Sequence, residues 1–287
     1  MECVLAVVEH GNFTRAAAAL HRTQPSLSYA IGRLEAELAT ALFSRRGRVS
    51  VLTPAGEAFV VEARRSIVAA ERARQAATSV GGLLMGHMDI AVIGPLVTPA
   101  ARVVSMFRTE HPGVTVGFRT GEPHEMVGWV RSSIAAIAFG RVDRLPPDVV
   151  GHRLGDEETV AAFPPGTEVP QCTDFTALAS FPIVGPSLET PFRSRFEAMV
   201  TEFGFEVVAE AHDMHSMLEL VLSGVGAAIV SRSGSVGFVA RGGVVSRLPA
   251  SDRYQAGLMH RHGRLTPTQA ALRSLATEQW EVVSADP

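Results

Sequence analysis

The chain has 287 residues, enough at roughly 150 residues per domain for two domains, and its 46% hydrophobic and 19% charged residues are a globular composition. All 26 basic residues are arginine, an imbalance expected of genome-wide codon bias more than of functional selection, and the missing lysine excludes Schiff-base enzymes, Walker A phosphate loops, protein kinases and hydrolases with a lysine base. The net charge of −3 divides unevenly, with 10 Arg against 7 acidic residues over 1–78 and 16 against 22 over the remainder, as expected for a small basic module on a larger acidic domain.

Met1 to Val8 is apolar, but Glu2 stands where a signal peptide carries positive charge, and Glu9-His10-Gly11 ends the run far short of a membrane span. Cys3 and Cys172 are too few for a disulfide framework or a zinc knuckle. These features predict an unexported, cytoplasmic protein.

The first helix is expected to run to about Glu9 and stop at Gly11. Asn12 or Thr14 caps a second helix through Ala16, Ala17 and Leu20. After His21-Arg22, Thr23 caps a third, with Pro25 in its first turn, where the missing N–H is harmless. Leu27, Ile31, Leu34 and Leu38 recur at helical spacing and form a predicted core stripe. The opposite face carries Pro25, Ser26, Tyr29, Gly32, Arg33 and Ala36 and is short of acid, which suits either a helix in the DNA major groove or a plain amphipathic helix. Leu42 to Leu52 reads as two short strands joined by a turn carrying Arg45, Arg46 and Arg48, a basic wing when it follows a helix-turn-helix.

The run Gly11-Asn12-Phe13-Thr14-Arg15-Ala16-Ala17, then Leu20-His21, Thr23-Gln24-Pro25-Ser26-Leu27-Ser28, Leu34-Glu35, Leu42-Phe43, Arg45 and Leu52-Thr53-Pro54-Ala55-Gly56 closely resembles the winged helix-turn-helix of LysR-type transcriptional regulators. The resemblance spans nearly all of residues 1–60. It implies DNA contacts at Gln24, Pro25, Ser26 and Ser28, beside Tyr29 and Arg33 on the same face, with Arg45, Arg46 and Arg48 on phosphate; Thr14 on the preceding helix is a further candidate contact. Tyr29 replaces the family's usual arginine, so base readout there differs, for instance by ring contact with a thymine methyl. The first helix also starts a few residues later than the family pattern.

From Thr53-Pro54 to about Ser79 no further proline intervenes. Val60, Ala63, Ile67, Ala70 and Ala77 make a narrow seam on this long helix, suited to pairing with a second subunit; the resemblance implies the same, and packing on the second domain is the alternative. Gly81-Gly82 ends it.

From about residue 88 strands and helices alternate: Asp89–Ile93, a helix Pro99–Thr109 capped by Thr98, Val114–Phe118, a helix Glu122–Arg131, and Ile134–Phe139, a βαβαβ unit. Pro164-Pro165-Gly166 marks a boundary before a second series: Phe181–Val184, a helix Arg193–Phe203, Val207–Ala209, a helix Asp213–Ser223 and Ala227–Val230. Two α/β lobes in series place a ligand cleft at the strand carboxyl ends. This region resembles, more loosely, the effector-binding domain of the same family, folded like a type II periplasmic binding protein. That fold implies a pocket lined by Pro95, Val97, Thr98, Thr120, Gly121, Ser187, Thr190 and Ser231, the last where relatives often have proline.

No catalytic motif stands out. Gly224-Val225-Gly226 lacks the third glycine of a dinucleotide loop and reads as a helix end and turn. His212, His215 and Glu219 share a helix face without an evident fourth ligand, and with His260 and His262 they read as surface or pocket-edge residues, with no metal or cofactor. The expected architecture is α/β overall: a winged helix-turn-helix over 1–58, a linker and dimerisation helix over 59–81, and an effector domain over 82–287, with lobe I at about 88–161 and 264–287 and lobe II at about 162–263. The expected function is a ligand-responsive regulator, not an enzyme, whose partners are double-stranded DNA as an interrupted palindrome, a second copy of the chain and a small-molecule effector, with no membrane. The competing expectation is a solute-binding or enzymatic α/β protein with an N-terminal interaction module.

Overall fold

The computed structural model describes residues 1–46, 49–78, 84–188, 190, 192–249 and 253–285, with the backbone alone at 45–46, 49–50, 71–72, 74–78 and 285. The chain divides into two compact units, Met1–Ala77 with Ser132–Ile134, and the larger Thr78–Arg131 with Ala135–Pro287.

In the first unit α1 (Glu2–His10) stops at Gly11, whose left-handed φ of 74° lets its N–H reach the Val7 carbonyl. Asn12, not Thr14, caps α2 (Phe13–Ala19), its side chain accepting from the Arg15 N–H at 2.8 Å. Thr23 caps α3 (Gln24–Glu37) through the Ser26 N–H, and Pro25 falls in the first turn as expected. Leu27 and Ile31 are buried with Val4, Val7, Ala16, Ala17, Leu42 and Val60. The predicted core stripe fails at its far end: Leu34 only packs against this core, and Leu38 is 43% exposed. The helix ends at Glu37 and Ala39 turns left-handed at φ 49°, so helical periodicity no longer aims Leu38 inward.

The wing is β1 (Phe43–Arg46) paired antiparallel with β2 (Val49–Leu52). Its root is fixed by Glu35, whose Oε1 accepts from the N–H groups of Leu42 at 2.7 Å and Phe43 at 3.0 Å. Thr53 closes the other side, donating its hydroxyl to the Ala41 carbonyl and capping α4 (Pro54–Thr78) by accepting from the Gly56 N–H at 3.0 Å. A side chain at Gly56 would put its Cβ 2.1 Å from the Leu42 carbonyl oxygen, so only glycine lets the long helix leave here. The 25 residues of α4 span roughly 37 Å.

The second unit holds two lobes. In the first, β3 (Gly86–Ile93), β4 (Val114–Gly121) and β5 (Ile137–Arg141) are parallel, and β6 (Val149–Glu157) and β12 (Tyr254–Arg261) complete the order β4-β3-β5-β12-β6. Helices α5 (Val97–Glu110), α6 (Pro123–Arg131) and the C-terminal α11 (Pro267–Ala285) accompany it, and Phe139 packs parallel to Trp280 with ring centres 5.7 Å apart. The parallel trio is the βαβαβ unit read from the sequence. The second lobe pairs β7 (Thr159–Phe163) antiparallel with β10 (Ala228–Ser231) and β11 (Val244–Arg247), and β8 (Ile183–Pro186) parallel with β9 (Val207–Ala211). A bridge between Ile183 and Ala227 sets β8 beside β10. Helices α7 (Phe175–Leu178), α8 (Arg193–Phe203), α9 (Met214–Leu222) and α10 (Val236–Ala240) belong to this lobe.

The lobe boundaries differ from the expected 161 and 263. The chain crosses at Glu158, between β6 and β7, and returns between Arg247 and Tyr254. Strand β12, including Met259 and His260, therefore pairs with β5 and β6 of the first lobe. The first crossing thus falls within three residues of the expected position and the return at least nine before it, because antiparallel exchange between lobes leaves no alternating strand–helix signal. Among the described residues no helix is long and apolar enough to cross a membrane.

Candidate functional site

The outward face of α3 is the first candidate. Gln24, Pro25, Ser26, Tyr29, Gly32 and Arg33 are exposed, Ser28 is half-buried, and Tyr29 is 74% exposed. A tyrosine ring left that open contributes nothing to the core. Gln24 donates to the Ser28 hydroxyl at 3.0 Å, which pre-orients both one turn apart. Arg33 reaches Glu37 at 3.4 Å, an exposed i,i+4 pair worth little and readily exchanged for phosphate. Thr14 is exposed on α2. Arg45 and Arg46 lie on β1 in the backbone trace, and Arg48 falls outside the described residues.

The proposed seam on α4 needs correction at its start. Val60 and Ala63 are 8% and 2% exposed within one chain, and Val60 belongs to the core beneath α3, so neither is free to meet a partner. Ile67 is half-buried and Ala70 exposed; the side chain of Ala77 lies outside the described residues.

The second candidate is the mouth between the lobes, at the carboxyl ends of β3, β8 and β10. A 3₁₀ turn, Gly94–Leu96, follows β3 and leads into α5, which begins at Val97, so Thr98 is an exposed first-turn residue and not the cap. Val97 packs on the first-lobe core. Another 3₁₀ turn, Ser233–Ser235, follows β10. A Cβ on Gly234 would lie 3.6 Å from the Pro95 Cα and would collide with the Met214 side chain, so the lobes meet here at glycine. Ser187, after β8, is buried, donates its N–H to the Ala211 carbonyl, and shares a 2.9 Å hydrogen bond between its hydroxyl and His212 Nδ1. Thr190 donates to the Ser187 carbonyl at 3.0 Å. Thr120 is exposed on the edge strand β4, and Gly121 lies under Trp129, whose ring would be 2.3 Å from an added Cβ. These two belong to strand β4 and not to the loop expected after it.

Ser231 is engaged elsewhere. Its hydroxyl donates to Glu157 at 2.6 Å, and the same carboxylate accepts from Ser233 N–H at 3.0 Å and Ser233 Oγ at 2.5 Å. The side chain of Glu157, the last residue of β6 and 4% exposed, is thus buried with its oxygens satisfied by three donors from the other lobe. Burial, and next the charge of Glu157, push the Tyr254 phenol well above its ordinary range, and the Arg141 guanidinium lies 5.2 Å from the Tyr254 ring centre. Sequence reading missed Glu157; its trace was an acidic pair, Glu157-Glu158, interrupting two strand-like runs. Glu219 of the supposed metal-ligand trio is held by Arg241, while His212 serves Ser187. Among the described residues no group of three or more His, Cys, Asp or Glu is placed to hold a metal.

A winged helix-turn-helix with an open recognition face, joined by a long helix to a two-lobed α/β domain, defines a ligand-responsive transcriptional regulator. Residues 1–57 match the model described as "Bacterial regulatory helix-turn-helix protein, lysR family", and residues 81–281 match "LysR substrate binding domain". The chain belongs to the LysR family of transcriptional regulators. It is 28% identical over 239 residues to the HTH-type transcriptional regulator XapR of Escherichia coli, covering 80% of each chain. Its fold is similar to a cysteine-to-aspartate variant of full-length OxyR from Pseudomonas aeruginosa, with a TM-score of 0.72, 20% identity and coverage of 96% and 94%. It is also similar to full-length CbnR complexed with its target DNA, with a TM-score of 0.64, 20% identity and coverage of 96% and 97%. Family membership sets aside the solute-binding or enzymatic alternative.

Proposed function

We propose that this regulator, in the cytoplasm, reads an interrupted DNA palindrome as an oligomer whose subunits pair along α4 from Ile67 onward, beyond the buried Val60 and Ala63. Two subunits place two recognition helices on one face of DNA, matching two half-sites to the protein's symmetry. Gln24, Ser26, Ser28 and Tyr29 reach base edges, Thr14, Pro25 and Arg33 seat the helix, and Arg45, Arg46 and Arg48 grip phosphate. The observation carrying this reading is the outward face of α3, where a 74% exposed tyrosine stands beside a pre-oriented Gln24–Ser28 pair.

The effector enters the interlobe mouth, against Pro95, Val97 and Thr98 on one side and Ser187, Thr190 and His212 on the other. The hydroxyl of Ser231 acts through Glu157, and Thr120 and Gly121 shape the rim. A ligand shifts the lobes only through different affinity for two arrangements, and the Glu157 hydrogen bonds are what it must keep or exchange. The test is footprinting of genomic fragments, the protein's own promoter included, across a salt series. Two protected half-sites and a steep loss of affinity with salt are expected. Flat titrations without a footprint would overturn the proposal.

A further inference from the structure

At the opposite end of the first-lobe sheet from the interlobe mouth lies a cavity of about 470 Å³. Its wall gathers His152 from β6, His260 at the end of β12, His262 and Arg264 from the turn that follows, and Arg273 from α11. His152 precedes Glu157 by five residues, roughly 16 Å of strand, so this is not the mouth seen from another side.

Among the described residues no acidic side chain lines the cavity. Neither Arg264 nor Arg273 pairs with a carboxylate among the described residues. On the neighbouring turn, Asp148 accepts the His262 N–H through its main-chain oxygen at 2.8 Å, but its carboxylate is taken by Arg131 at 2.6 Å. Two guanidiniums and three imidazoles therefore share one concavity without a counter-ion among the described residues.

His152 and His260 are joined nitrogen to nitrogen. Their Nε2 atoms are 3.0 Å apart, while the ring centres are 5.1 Å apart and the planes differ by 20°, so the rings meet edge to edge. That separation suits an N–H···N hydrogen bond and leaves no room for a metal ion between them. His260 Nδ1 lies 2.8 Å from the Arg261 carbonyl oxygen, which only accepts, so Nδ1 carries that ring's proton and its Nε2 is bare. His152 consequently donates from Nε2, and its own Nδ1 is the free base. A proton taken up there adds positive charge to the cavity wall without breaking the pair.

We infer that this cavity is a binding site for a small oxyanion bearing a phosphate or carboxylate group, held by Arg264, Arg273 and His262 and separate from the interlobe effector site. Its affinity rises as the His152–His260 pair takes up a proton. Burial foremost, then the partner imidazole for His152, and Arg273 for both, hold the two rings' pKa values below the ordinary histidine value while the cavity is empty. A bound anion offsets that cost, because it favours the imidazolium.

The test is titration of the full-length protein with inorganic sulfate, whose charge does not change between pH 8 and 6, at ionic strength held constant with chloride. The histidine ring resonances are followed by NMR. The expected result is saturable shifts of the His152, His260 and His262 signals, with affinity higher at pH 6 than at pH 8. Arg264→Gln and Arg273→Gln should each weaken binding about tenfold, the loss of one charge-assisted hydrogen bond. Arg153→Gln, on the other face of β6, should leave it unchanged. A parallel succinate titration separates the two head groups: saturation by either anion supports the site, and the tighter one names its class. Absence of saturable shifts with both, or equal affinities in the wild type and the exposed-residue variant Arg264→Gln, would overturn the inference.

Discussion

The two functional surfaces are prepared in opposite ways. On α3 the side chains proposed to meet DNA point into solvent, tied only to each other or, for Arg33, to an exposed Glu37. At the interlobe mouth the second-lobe hydroxyls are already spent, Ser187 on His212, Thr190 on the Ser187 carbonyl and Ser231 on Glu157. A preformed outward face binds at little reorganisation cost, whereas an internally satisfied mouth must exchange bonds. The difference suits a protein whose DNA grip is constitutive and whose response to a small molecule is a shift between arrangements.

Substitutions sharpen that contrast by separating scaffold from surface. Leu27→Ala removes a fully buried side chain from beneath α3 and should destabilise the first unit by about 4 kcal/mol, read as loss of helical circular dichroism at lower urea. Both tryptophans, Trp129 and Trp280, lie in the second unit, so their fluorescence should report an unchanged transition for this variant. Glu157→Ala leaves three donors without an acceptor and should cost about 3 kcal/mol, this time in the tryptophan-reported transition. Glu35→Ala strands the Leu42 and Phe43 N–H groups at the wing root and should cost about 2 kcal/mol in the first unit. If Glu157→Ala left the second unit as stable as before, the claim that the mouth is internally latched would fail.

A pH series probes the second unit alone. His152 and His260 have folded values below their unfolded ones, chiefly through burial, so in the anion-free protein the unfolded chain binds more protons as pH falls. Their contribution is fully present above about pH 6.5 and is lost as pH falls through that value toward the folded ones. The tryptophan-reported melting temperature should therefore drop between pH 7.5 and 5.5, and His152→Gln should flatten the drop. A melting temperature that held or rose on acidification would contradict the neutral hydrogen-bonded pair.

What the sequence revealed tracks how local each signal is. The caps Asn12 and Thr23, Pro25 in the first turn, the Gly11 stop and the Thr53-Pro54 start act over three or four residues, and each stands where it was read. The parallel βαβαβ trio was legible for the same reason, since each helix follows its strand directly. The pairing of strand β12 was not, because its partners β5 and β6 lie about a hundred residues upstream. Glu157 escaped notice because its donors, Ser231 and Ser233, come 74 and 76 residues later. The residues of the seam on α4 were picked by their spacing, and neither spacing nor a family resemblance says whether Val60 faces a second copy or its own domain.

The central claim is that α3 reads sequence and the wing supplies charge, and selection of bound sites from a random DNA library tests it most directly. Wild type, Tyr29→Ala and Arg45→Ala are compared at one salt concentration. Tyr29→Ala should leave stability nearly untouched, since the ring is exposed, yet change base preference at one position of each half-site, by about 1–3 kcal/mol between bases. Arg45→Ala should keep the wild-type preferences and weaken every site alike. The account is contradicted if Tyr29→Ala returns the wild-type preferences with a uniform loss, or if Arg45→Ala changes them.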